Sequence, residues 1–278
     1  MLSLYTQIGF WNIPTFRLTI GIAIVFSLII ALYHQHPRGQ VVNIYLGGLV
    51  LGILGARLFH VALNWDYFTD NRAEIWVIGA GGLDWHGAVL GGMIGLALVL
   101  WMQNSVLSWA VRHHYVQTEV TRQPFNRLVA SLILALPLIG LGGWVGCLAA
   151  GCGYGKEVDS LANYSRWATS ELVDVFGIVA PRYNTPYFGI GLCGLALIMG
   201  LVMLVLRRKS PADALKGRRF WWLLAFMSAG MFMIGFYRAD HTLVFFGLRG
   251  DQLLDVIMAL WSAVVALRIR DDKRSERS

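Results

Sequence analysis

The sequence predicts an all-α polytopic membrane protein with seven transmembrane helices, its N-terminus outside and its C-terminus cytoplasmic. Three observations carry that expectation. Of the 278 residues, 56% are hydrophobic and only 14% charged, and the mean hydropathy is +0.58, which is more apolar surface than a water-soluble domain buries. Apolar runs of roughly 17 to 25 residues, the length that crosses about 30 Å of hydrocarbon, occur at about 16–34, 41–63, 85–103, 128–150, 186–206, 219–237 and 251–268. Lys and Arg favour cytoplasmic loops, and fifteen of the 23 fall on one side: Arg38, then Arg112, Arg122 and Arg127, then Arg207, Arg208, Lys209, Lys216, Arg218 and Arg219, then Arg268, Arg270, Lys273, Arg274 and Arg277. The other side has Arg17, Arg57, Arg72, Lys156, Arg166, Arg182, Arg238 and Arg249.

Each run has its own punctuation. The first follows fifteen mostly uncharged residues and ends in HQHPR with no small-residue cleavage site, which marks a retained span rather than a signal peptide. The second climbs outward through GARLFH, carrying Arg57 and His60 to its outer end. The third starts outside with GGLDWHGAVLGG, so Asp84 and His86 sit at its mouth. The fourth ends in GGWVGCLAAGCGYGK, the fifth begins after PRYNTPYFG, the sixth emerges at GFYRAD and the seventh returns to the basic tail. No segment is long enough to stand as a soluble domain, so residues 1–278 read as a single integral membrane domain. The net charge of +7 lies in short juxtamembrane loops, where it reflects topology and attraction to anionic lipid head groups rather than a nucleic-acid footprint.

Ionisable groups at the edge of hydrocarbon are costly unless paired or facing a wet cavity, so their convergence on the outer side marks a site. Arg57 is either an anchor that snorkels to lipid phosphate or part of an anion site. His86 either caps its helix or acts as an acid–base group. Arg238 and Asp240 read as an interfacial pair or as site residues, and Asp84 as a helix N-terminal cap. Arg182 sits in a polar loop, where solvation is the simple reading. Trp85, Trp144 and Tyr154 read as an aromatic belt. Cys193 falls inside a span as a small packing residue. Cys147 and Cys152, five positions apart, read as packing residues, with a disulfide conceivable.

The glycines divide into two groups. GLVLG, GGMIG and GGWVG have the small-xxx-small spacing that lets helices approach closely. GCGYGK has too many glycines for a tight helix, and irregular backbone of this kind is tolerated at membrane depth where it lines a cavity. Its free N–H groups would suit an anion.

Taken in order, GLVLGILGARLFHVALNWDYF, GGLDWHGAVLGGMIG, GGWVGCLAAGCGYGK, PRYNTPYFG and YRAD…GLRGDQLL resemble the prolipoprotein diacylglyceryl transferase family over roughly 14–268. The resemblance implies an enzyme of the bacterial cytoplasmic (inner) membrane. It would move the diacylglyceryl group of phosphatidylglycerol to the lipobox cysteine thiol of a preprolipoprotein signal peptide, releasing glycerol phosphate, with no metal or organic cofactor. It makes His86 the general base and has Arg57 and Arg238 hold lipid phosphate. Gly143, Gly146, Gly151 and Gly155 match glycines of the family signature. They are expected to bind substrate together with Cys147, Cys152, Tyr154, Arg182 and Asp240.

Several positions depart from the family pattern. Polar residues of the fourth-span signature, an Arg, an Asn and a Glu, are replaced by Trp144, Cys147 and Cys152. In the sixth span an Arg and a Glu align with Met231 and Gly235, and in the fifth a Tyr and a Glu with Phe188 and Gly189. The first-span Tyr aligns with Thr19 or Ile20. Two readings follow: a divergent transferase, or a non-catalytic paralogue that keeps the lipid cavity as a binding or accessory membrane protein. A thiol-dependent enzyme acting on another lipid is a third, resting only on the cysteine pair. A retinal-binding pump is set aside because the last span has no Lys.

Overall fold

A chain inside hydrocarbon must satisfy its backbone groups internally, and a helix does so within each segment. All seven apolar runs are helical in the computed structural model, which describes residues 3–34, 38–78, 81–113, 125–174, 176–207 and 213–269. They form α1 (Thr15–His34), α2 (Arg38–Leu63), α4 (Trp85–Arg112), α5 (Phe125–Ser131) with α6 (Ala135–Ala150), α7 (Thr185–Arg207), α8 (Asp213–Gly235) and α9 (Gly250–Arg268); a short α3 (Trp65–Asp70) follows α2. Spans within α1, α2, α4, α7 and α9 are long and apolar enough to cross a membrane, so the protein is a polytopic membrane protein. Of the basic residues used to orient it, Arg122, Arg208, Lys209, Arg270, Lys273, Arg274 and Arg277 lie outside the described residues.

The structure corrects two features of the sequence reading. The fourth run is two helices, with tight turns carried by the Leu132 N to Val129 O and Ala135 N to Leu132 O bonds. The cause is Pro137: it offers no N–H to the carbonyl of Ile133 and its ring crowds that carbonyl, so it is accommodated only in the first turn of a new helix. The fold is also mostly helical rather than purely so. Among the described residues, three antiparallel hairpins accompany the helices: β1 (Tyr5–Ile8) with β2 (Trp11–Pro14) ahead of α1, and, between helices, β3 (Thr169–Val173) with β4 (Val179–Tyr183) and β5 (Val244–Phe245) with β6 (Leu248–Arg249).

Helix pairing follows the glycines. α2 packs along α4, α6 along α1, and α9 along α8. Along the α2–α4 seam a Cβ on Gly87 would lie 2.1 Å from Gly55 O, and one on Gly95 2.3 Å from Gly47 O. Only hydrogen fits there, as the small-xxx-small spacing requires. The core lies between α6, α7 and α8, where Trp144, Cys193, Leu223, Met227 and Met231 are buried together, and between α4, α5, α8 and α9 around Met93, Val129, Trp221 and Met258. Cys193 is the packing residue expected.

The connections at one end of the bundle are tied to each other by backbone bonds. Leu243 N donates to Leu63 O at 3.2 Å, joining the α8–α9 connection to the end of α2. Lys156 N donates to Tyr237 O at 2.8 Å, joining the α6–α7 and α8–α9 connections. This end carries the candidate site.

Candidate functional site

His86 enters the site through the start of α4. Asp84 is the N-cap, and its side chain accepts from the His86 and Gly87 amides at 2.9 and 3.1 Å, the expected role. The same carboxylate lies 3.1 Å from His86 Nδ1. Burial opposes ionisation of Asp84, but the contacts from His86 and the two amides outweigh it and hold the carboxyl below its usual range. On the other side of the ring, Nε2 is 2.9 Å from Asp255 Oδ1, a residue of α9. His86 is 1% exposed, so water cannot take over either contact. A neutral imidazole has one N–H and one lone pair. With carboxylates against both nitrogens, the trio is held together by a further proton, on the ring or on a carboxyl.

Asp255 leads to Arg238. One turn before it on α9 stands Asp251, on the same helix face. Asp251 Oδ2 pairs with Arg238 Nη1 at 3.0 Å, and its two oxygens take the Nε and Nη2 of Arg249, each at 3.0 Å. Arg238 donates from Nε to Asp240 Oδ1 at 2.8 Å and from Nη2 to the other oxygen. Arg249 closes the ring by donating to the Asp240 carbonyl at 2.7 Å. Asp240, Arg238, Arg249 and Asp251 therefore form one ion-pair network, and Asp255, one turn further along α9, carries the contact to His86. Sequence reasoning found His86, Arg238 and Asp240 and missed the other three. The signal was two carboxylates four residues apart at the start of an apolar run.

Arg57 is differently placed. It is buried, and its Nε, Nη1 and Nη2 donate to the carbonyls of Ile75 (2.9 Å), Gly81 (2.8 Å), Gly82 (3.1 Å) and Glu74 (2.5 Å), with the guanidinium over the Phe68 ring. It pins the loop that leads into Asp84, so its hydrogen bonding is directed at backbone and away from the His86 cluster.

The glycine-rich segment GCGYGK runs as a strand-like bridge between two others. Ala239 N donates to Tyr154 O (3.0 Å), pairing Gly155 with Arg238. On the opposite edge Tyr183 N donates to Lys156 O (3.1 Å) and Val158 N to Pro181 O (2.9 Å), pairing Glu157 with Arg182. Gly151 ends α6 with φ +70°, a left-handed conformation that glycine adopts freely. A Cβ on Gly155 would lie 2.2 Å from Tyr183 O. These glycines admit neighbouring backbone, and of the GCGYGK amides expected to suit an anion, those of Cys152 and Lys156 already donate to Cys147 O and Tyr237 O. On α6, Gly146 packs against Phe16 and Thr19 of α1, while the position of a Cβ on Gly143 is open.

Three other expectations are corrected. Arg182 is not a solvated loop cation: it is buried, bound to Glu157 at 2.7 Å and Asp174 at 3.1 Å, with its guanidinium over the Tyr154 ring. Trp144 and Tyr154 are buried rather than belt residues. The Trp144 indole rests on α7, where a Cβ on Gly189 would lie 2.2 Å from the ring, and Arg238 lies over the indole at 5.9 Å. Cys147 and Cys152 are joined in a disulfide that fastens the last turn of α6 to the glycine segment. A hollow of about 80 Å³ opens beside it, lined by Leu148, Tyr154, Val173 and Pro186 among others.

Comparison with known proteins agrees with this frame. The model of the family described as prolipoprotein diacylglyceryl transferase matches residues 3–268. The chain is similar to proteins named phosphatidylglycerol–prolipoprotein diacylglyceryl transferase. That of Enterococcus faecalis is 29% identical over 229 residues, 82% of this chain and 74% of the relative. That of Streptococcus mutans is 28% identical over 255 residues, 88% of each. That of Streptococcus suis is 29% identical over 259 residues, 90% of this chain and 87% of the relative.

Proposed function

The chain belongs to the prolipoprotein diacylglyceryl transferase family, and from that premise we propose that it is a transferase acting on phosphatidylglycerol and a lipobox cysteine. The sulfur of the acceptor forms a bond to the glycerol carbon, the bond from that carbon to the phosphate oxygen breaks, and glycerol phosphate leaves. The thiol must lose its proton to attack, and the leaving phosphate accumulates charge that a guanidinium stabilises. His86 is the base: once the trio has given up its further proton, Nδ1 takes the thiol proton while Nε2 stays against Asp255. Arg238 holds the phosphate. The observation that carries the reading is that the start of α9 serves both residues: Asp255 contacts His86, and Asp251, four residues earlier, pairs with Arg238. Arg57 shapes the loop before His86, and Asp240 is the anion that a substrate phosphate displaces from Arg238. Gly151, Gly155 and Tyr154 hold the Arg238 segment in place.

The departures from the family pattern support a drier version of the same site. Positions 144 and 189, where the resemblance expects an Arg and a Glu, touch each other as an indole on a glycine. Gly235, where a Glu is expected, is covered by Gln252. At these three positions the space of the lost polar group is filled by a side chain, Trp144 or Gln252. The broader setting belongs to the same proposal: one integral domain with seven spans in the bacterial inner membrane, the N-terminus outside, and the site at the outer leaflet.

The test is a transfer assay with purified protein, phosphatidylglycerol vesicles and a lipobox peptide, read by the mass of the peptide. The wild type adds diacylglyceryl to the cysteine, and His86→Ala, with its fold verified by thermal melting, does not. Lipid-binding wild-type protein that transfers nothing would make this chain a binding member of the family.

A further inference from the structure

Asp255 occupies an unusual position. It is a carboxylate buried to 3% exposure in a helix apolar enough to cross a membrane. Such a group persists only when it is paired or when it works. Its partner comes from α4, 169 residues away in sequence, and the contact is at 2.9 Å. Its neighbour four residues earlier, about 6 Å along the axis, is Asp251, which holds Arg238. One face of α9 thus carries two carboxylates that grip the two residues assigned to opposite tasks. Asp84 orients the ring at Nδ1 through the α4 cap, which leaves Nε2 to be oriented from α9 alone.

We infer that Asp255 is the positioning residue of His86: it fixes the ring orientation and the proton at Nε2, while Asp251 on the same face sets the distance from His86 to Arg238. A base that must meet a thiol gains from such restraint, because misplacement by an ångström is enough to lose much of the rate. The role in transfer rests on the function proposed above. The role in holding the ring does not.

Two measurements on the full chain in micelles test it. Selective ¹⁵N labelling of histidine, with His86 assigned by His86→Asn, reports the protonation of each ring nitrogen. Asp255→Asn shifts the Nε2 resonance of His86 and Asp255→Glu restores it. In the transfer assay Asp255→Asn lowers kcat by about 100-fold, with KM for peptide and lipid little changed, and Asp255→Glu recovers most of the rate. A loss of fold would instead lower the melting temperature and the amount of active protein without selective recovery by Glu. An unchanged Nε2 resonance in folded Asp255→Asn protein, or a wild-type kcat in that variant, overturns the inference. If the wild type transfers nothing but the resonance responds, the transferase reading fails and the positioning of His86 stands.

Discussion

Arg57 and Arg238 present the same guanidinium to opposite kinds of partner. Arg57 is ringed by four backbone carbonyls of the 74–82 loop, whereas Arg238 faces the carboxylates of Asp240 and Asp251. A phosphate can replace a carboxylate on Arg238, anion for anion, and the freed Asp240 at the bundle end returns to water. A phosphate drawn to Arg57 would leave carbonyls without donors, each costing about 1–3 kcal/mol where buried. Position at a span end therefore does not identify an anion site; the exchangeability of the existing partners does.

The largest effect that could break this comparison is on stability. Arg57→Ala costs about 3 kcal/mol, read from denaturant unfolding in mixed micelles, and Arg57→Lys does not restore it because one ammonium cannot span four carbonyls. A stable Arg57→Ala protein that had lost only lipid binding would return Arg57 to the phosphate site.

A smaller effect sharpens the joint between the two regions, Asp84. Asp84→Ala removes the α4 cap and costs about 1 kcal/mol at neutral pH. The Asp84 carboxyl is held below its usual range in the folded protein, so its contribution is present above the unfolded value of about 3.9 and fades as pH falls through the folded value. The stability gap between wild type and variant consequently narrows in acid. A gap that stays constant from pH 7 to pH 3 would mean that the cap does not depend on ionisation.

Much of this arrangement was legible in the sequence because hydrocarbon imposes length. Runs such as 16–34 and 186–206 met helices within a residue or two, since an apolar run of that size has few other solutions. Pro137 was visible too, but the unbroken apolar run around it concealed the break. The hairpins were not legible: strands of two to five residues at helix ends carry too little alternation to stand out. In the site, His86, Arg238 and Asp240 were legible as charges at a membrane edge. The carbonyl partners of Arg57 were not, because backbone acceptors leave no mark in a sequence. Trp144 on Gly189 joins positions 45 apart, a contact that neither residue announces alone. Asp251 and Asp255 were in plain view, four residues apart, but the apolar run they open drew attention to the span rather than to its polar face.

The most direct measurement is steady-state transfer by Arg238→Gln and Arg238→Lys against phosphatidylglycerol concentration, alongside the wild type. Arg238→Gln loses about 100-fold or more in kcat/KM because the charge that meets the leaving phosphate is gone, and Arg238→Lys recovers part of it. Transfer by Arg238→Gln at the wild-type rate would contradict the account and move the phosphate site away from α9.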